Sequence, residues 1–77
     1  MALQRGECLL REIRVNAGLT QEELSVKIKN RFDLTITPAM IGHYENDRKP
    51  INIVILRAFA QILHKKMDDF YTWDNTR

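Results

Sequence analysis

The histidine and cysteine side chains, the commonest metal ligands and the groups that titrate nearest neutral pH, are few in these 77 residues: His43, His64 and Cys8. Such a set falls short of a structural zinc site, which takes four ligands. No Ser/His/Asp arrangement, carboxylate pair or glycine-rich phosphate loop stands in the chain, so the pattern of an enzyme is absent. Cys8 has no partner for an internal disulfide and reads as a small apolar filler in a reducing compartment. What remains is non-covalent recognition. Its best candidate is the stretch 37–46, Thr37-Pro38-Ala39-Met40-Ile41-Gly42-His43-Tyr44-Glu45-Asn46. With Ile41 and Tyr44 turned inward on a helix, Ala39, Gly42, His43 and Asn46 share the opposite face. That face carries none of the lysines and glutamates that solvate an idle helix. It reads as a working surface.

The elements that must position this face announce themselves locally. Thr37 is an N-cap, Pro38 falls at the first helical position where its missing N–H costs nothing, and Ile36 and Ile41 stand at staple positions. Thr20 repeats the signal, with Glu23 completing a capping box and Leu19 and Leu24 the staple. Two short capped helices joined by a turn suggest a helix-turn-helix unit over about 20–46. Between them Phe32, Leu34 and Ile36 alternate with Asp33 and Thr35, which predicts a short extended segment laid on the core. The conformation of 29–36 stays open.

Around this unit the periodicity predicts an all-α fold with five helices, near 2–17, 20–31, 37–46, 52–64 and 67–72. In the first, Leu3, Leu10, Ile13 and Ala17 fall at helical spacing; Gly6 costs it about 1 kcal/mol, and Gly18 suits the left-handed position that ends it. Lys27, Lys29 and Arg31 crowd the C-terminal end of the second, either to offset its dipole or to touch phosphate. The fourth, capped by Asn52, is apolar nearly all round. Its surplus of Val54, Ile55, Ala58 and Ile62, with Tyr71 and Trp73 beyond, predicts a homodimer interface. A tail follows over about 72–77.

Composition adds bounds. Apolar residues at 44% and charged residues at 29% fit one globular domain over 1–77. A net charge of +2 and a pI near 8.9 make the chain weakly basic, so the distribution of charge matters more than its sum. No charged-then-apolar leader opens the chain, and its longest apolar run, 53–56, is far too short to span a bilayer. The expectation is a cytoplasmic domain with no cofactor, metal, membrane contact or evident small-molecule ligand.

Arg14, the run Gly18-Leu19-Thr20-Gln21-Glu22-Glu23-Leu24, the run Ile41-Gly42-His43-Tyr44-Glu45-Asn46, and then Leu56, Phe59, Ala60 and Leu63 resemble the phage repressor and Cro-type (XRE) helix-turn-helix family. The likeness covers roughly residues 6–70 and implies a compact five-helix, lambda-repressor-like fold with the third helix in the DNA major groove. By position it also implies roles. Gln21, Thr37 and Asn46 match phosphate contacts; Pro38, Ala39 and His43 match base-reading positions. Arg14 and Glu45 match a partly buried ion pair joining the first and third helices. Arg48 and Lys49, in the turn after the third helix, lie within reach of the same phosphates, and Gly42 would let the helix backbone approach the groove. Two departures stand out. The turn between the second and third helices is unusually long, by about six residues against the usual three or four. Asp47 also stands where a glycine is common. Pro38 and Ala39 offer bases only apolar contact, such as with a thymine methyl, which leaves His43 as the main polar reader.

The implied function is a sequence-selective double-stranded DNA-binding transcriptional regulator, acting as a repressor by operator occupancy. A homodimer would set two recognition helices about 34 Å apart on a palindromic site. The alternative is a protein-interaction module of the same fold, antitoxin-like or a co-regulator, suggested by the modest charge and the apolar surplus. Salt separates the two, because counterion release makes DNA binding steeply salt-dependent.

Overall fold

Side-chain oxygens set the starts of three helices. Thr20 Oγ1 accepts from the Glu23 amide at 3.1 Å while Glu23 Oε1 accepts from the Thr20 amide at 2.9 Å, a reciprocal capping box. Thr37 Oγ1 accepts from the Met40 amide at 3.1 Å, and Asn52 Oδ1 from the Ile55 amide at 3.0 Å. Each cap is worth about 1 kcal/mol. The computed structural model describes the backbone of residues 2–76 and side chains within 5–73. Its order is β1 (Ala2–Cys8), α1 (Leu10–Asn16), α2 (Gln21–Phe32), α3 (Pro38–Glu45), α4 (Ile53–Leu63), a 3-10 turn (Met67–Phe70) and β2 (Tyr71–Thr76).

This order corrects the all-α, five-helix expectation at both ends of the chain. The helix expected over 2–17 begins only at Leu10, and the one expected over 67–72 is a single 3-10 turn that passes into a strand. β1 and β2 form an antiparallel ribbon that pairs Ala2 with Thr76 through to Arg5 with Trp73, then Cys8 with Tyr71 after a bulge. The cause is tertiary. Tyr71, Thr72 and Trp73 are good strand formers, and they offer 2–8 a paired backbone that outweighs a helix already weakened at Gly6. Side chains fix the pairing. The Arg5 guanidinium lies 4.8 Å over the Tyr71 ring and donates to its hydroxyl at 3.3 Å. The Glu7 amide donates to Thr72 Oγ1 at 2.8 Å, and Trp73 Nε1 to the Asp68 carbonyl at 2.9 Å.

Gly6 is required by this ribbon, since a Cβ there would overlap the Thr72 hydroxyl and press on its carbonyl. Gly6→Ala should therefore cost on the order of 1 kcal/mol and lower the thermal midpoint. Gly42→Ala is the control, because its Cβ would meet Gln21 Nε2 at an ordinary 3.5 Å. That variant should hold or raise the midpoint, as alanine favours the helix. Equal losses in both would deny the ribbon its special demand.

The long turn between the helices resolves into two parts. α2 continues to Phe32 and ends with Asp33 in the left-handed region at φ 55°, so only 33–37 separate it from α3. No strand forms there, but the alternation is expressed as burial: Phe32 and Leu34 are half-buried, Ile36 is buried, and Asp33 and Thr35 are exposed. The Ser25 hydroxyl donates to the Ile36 carbonyl and pins the segment to α2. The core beneath is built from Leu10, Leu24, Ile28, Ile41, Phe59 and Phe70, all fully buried. Phe59 is its centre, edge-on to Tyr44 at 6.2 Å and stacked on Phe70 at 6.5 Å. It thereby joins α3, α4 and the root of the ribbon.

Candidate nucleic-acid interface

Glu45, on the last turn of α3, decides how that helix sits. Its side chain is fully buried, and Arg14 Nε from α1 donates to Oε2 at 2.6 Å. Oε1 accepts from Arg14 Nη2 at 3.2 Å, from Gln21 Nε2 at 3.0 Å and from Arg11 Nε at 3.5 Å. Arg14 Nη1 also donates to the Leu19 carbonyl at 2.8 Å. One carboxylate thus ties α1, the N-terminus of α2 and the C-terminus of α3 together. Burial pushes its pKa up, but hydrogen bonds from Arg14 and Gln21 and the charge of Arg14 outweigh that, and the net value lies below the usual 4.5. A depressed carboxylate pKa contributes stability in full above about 4.5, and that contribution is lost as pH falls through the folded-state value. Thermal midpoints taken from pH 7 downward should fall more steeply below that point in the wild type than in Glu45→Gln. Parallel curves would mean that another carboxylate carries the acid sensitivity.

The face opposite the core carries the other residues of interest. Ala39 is exposed, and Pro38, Gly42 and His43 are half-buried on α3. Thr37, at the N-cap, is exposed. Gly42 is half-buried, and Gln21 Nε2 is the nearest atom to its absent Cβ at 3.5 Å. Gln21 and Asn46, matched by resemblance to phosphate contacts, both hold internal bonds as well: Gln21 to Glu45, and Asn46 Nδ2 to the Gly42 carbonyl at 2.9 Å. Each amide nitrogen carries two hydrogens, so one donor on each is left for an outside acceptor. After α3 the chain reverses at Asp47, left-handed at φ 59°, and presents Arg48 and Lys49 exposed beside the helix end. The Asp47 carboxylate accepts from the Cys8 amide at 3.2 Å, so the strained position gives the turn an anchor on the ribbon. Burial raises the pKa of the half-buried Cys8 thiol, which keeps it in its unreactive neutral form.

The residues named for a dimer contact do not share one free surface. Ala58 at 4% and Tyr71 at 5% exposure are spent on the chain's own core, and the Tyr71 hydroxyl accepts from the Ile51 amide at 3.1 Å. Neither side chain is free to face a second protomer. Helical spacing misjudged Ala58 because α4 buries one side under α2, and Tyr71 was expected in a fifth helix over 67–72 when it begins β2. Val54 and Trp73 are exposed, while Ile55 and Ile62 are half-buried. Arg11 is the residue the sequence reading missed. It lies one helical turn before Arg14 on α1, and it bonds both Glu45 and, through Nη2 at 3.2 Å, Asn46 Oδ1. The three-residue spacing of the two arginines was the available signal.

Among the described residues, no cluster of His, Cys, Asp and Glu could hold a metal ion, and no helix is long and apolar enough to cross a membrane. A family model described as Helix-turn-helix matches residues 10–70. No curated protein and no solved structure matches the chain.

Proposed function

We propose that this chain, which belongs to the XRE-type helix-turn-helix family, is a sequence-selective transcriptional regulator that lays α3 in the major groove of double-stranded DNA. The observation that carries this reading is the outward side of α3: a face without acids, beside the N-terminus of α2, and flanked by the exposed Arg48 and Lys49. Glu45 at the base of α3 fixes its angle to α2 through Gln21. In this reading Gln21, Thr37, Asn46, Arg48 and Lys49 bind phosphates and set the register, while His43 reads a base edge. Pro38 and Ala39 touch apolar groups such as thymine methyls, and Gly42 keeps the backbone close to the groove. Occupancy of an operator blocks polymerase, which makes the chain a repressor.

Selection of bound duplexes from a random pool, read at two salt concentrations, tests the proposal. An enriched motif at both salts is the expected result; a pool that stays random while the protein binds would leave only backbone attraction.

The regulator acts as a homodimer, using the exposed Val54 and Trp73 with the edges of Ile55 and Ile62. Exposed apolar side chains at the start of α4, Ile53 at 73% and Val54 at 61%, support a covered surface. Sedimentation at high micromolar concentration should give a dimer, and the enriched motif should be palindromic. A monomer on DNA as well as off it would remove this part of the proposal.

A further inference from the structure

The geometry points to a second phosphate-binding surface, at the C-terminal ends of α2 and α4, which holds the backbone of a DNA segment other than the one facing α3. Two adjoining clefts of about 370 Å³ each lie there. One is lined by Arg31, Arg57, Gln61, His64 and Lys65 among others, the second by Lys27, Asn30, Arg31 and His64. Arg31 and His64 belong to both, and no acid lines either. Every one of these basic side chains is on an exposed residue.

Most of this charge has no acid beside it; the exception is Lys27, whose charge, after the hydrogen bonds at Thr20, helps hold down the pKa of Glu23 one turn earlier on α2. Ion pairs among the described residues use Arg11 and Arg14 with Glu45, and Lys29 with Asp33; none uses Lys27, Arg31, Arg57 or Lys65. Lys29, read from sequence as part of the same basic group, is thereby removed from it. Two helix C-termini contribute about half a negative charge each, so they cancel about one of the four permanent cations. About two to three positive charges are left over, more than dipole compensation calls for. The surface is also distinct from the α3 face. Gln21 and Arg31 are ten residues apart on α2, which at 1.5 Å per residue separates them by about 15 Å along the axis.

The arrangement favours a polyanion over a small phosphorylated molecule. The α-helical residues lining the clefts come from the middle and C-terminal turns of α2 and α4, not from the N-terminal turn that a compact phosphate site uses. The cations are instead spread over two shallow concavities on long stems, with Arg31 and Arg57 able to grip phosphate oxygens in pairs. Spread charges gain affinity by releasing counterions from a duplex, whatever its sequence. A regulator with such a surface can hold two DNA segments at once.

The test is a titration of the isotopically labelled full chain, followed by amide chemical shifts. The probes are a random-sequence duplex of roughly 12 base pairs, about one helical turn, inorganic pyrophosphate, and a poly-glutamate peptide. With excess duplex at low salt, the amides of Gln61, His64 and Lys65 should shift with a dissociation constant of roughly 0.1 mM or tighter. Arg31→Gln/Arg57→Gln should weaken that phase at least tenfold and leave shifts on α3 within twofold. Lys27→Gln/Lys65→Gln, at exposed positions, should weaken it in the same direction if the first pair disturbs the fold. Silent cleft amides, shifts unaffected by the variants, or earlier saturation by pyrophosphate or the peptide would overturn the inference. Cleft shifts without any on α3 would uphold it and defeat the function proposed for α3 instead.

Discussion

Glu45→Ala should cost the domain about 3–5 kcal/mol, because it strands a charge that has almost no water to return to. Arg14, its partner at 2.6 Å, keeps only 11% of its side-chain surface exposed. A chain of this size has a total stability of roughly 4–12 kcal/mol, so the loss takes about a quarter of it or more. Urea unfolding should show the midpoint falling with little change in slope. Arg14→Ala should behave alike, since it leaves the buried carboxylate with only Gln21 and the weaker contact from Arg11. Replacing both by leucine should cost far less than the sum of the single losses, because no unpaired charge remains. A Glu45→Ala loss below about 1 kcal/mol would mean that the pair is hydrated in solution and does not fix α3.

Arg48→Ala and His43→Ala should part company on DNA. Arg48 lies exposed in the turn after α3, and a phosphate does not report the base attached to it. Its loss should weaken binding about equally on all sequences and lower the salt slope by roughly 0.9 per protomer, about 1.8 for a dimer. His43 lies one turn beyond Ala39 and is the polar reader on that face. Its loss should narrow the gap between a selected and a scrambled duplex by about 1–3 kcal/mol, with little change in slope. Measuring both variants on both duplexes resolves the division. An unchanged preference in His43→Ala would leave α3 without its main reader, and specificity would then have to come from DNA shape.

What could be read in the sequence was local. Thr20, Thr37 and Asn52 cap helices because a short polar side chain bonds an amide three residues on, within one peptide's reach. Gly18 takes the left-handed conformation at φ 76° for the same local reason. The stretch 32–36 alternates inward and outward whether or not it pairs as a strand. The ribbon was hidden because its two halves lie at opposite ends of the chain. Leu3 and Leu10 keep helical spacing, and nothing near Gly6 says that Thr72 will stand against it. The same holds for Asp47, whose left-handed turn was expected but whose bond to the Cys8 amide depends on that ribbon. Arg14 and Glu45 were joined through the family resemblance, whereas their links to Gln21 and Arg11 emerge only from the packing of three helices. Burial of Ala58 on α4 and of Tyr71 at the start of β2 was likewise a tertiary outcome that apolar counting along the chain could not supply.

The most direct test of groove reading by α3 is the binding isotherm of the wild-type chain on its selected duplex and on a scrambled one, at 50 and 200 mM salt. If two protomers each place Arg48 and Lys49 on phosphates, the salt slope is near −3.6, and affinity on the selected duplex falls about a hundredfold between these salts. At either salt the selected duplex should bind roughly a thousandfold or more tightly than the scrambled one. Affinity that hardly changes with salt, or equal affinity for the two duplexes, would contradict a sequence-reading role for this helix.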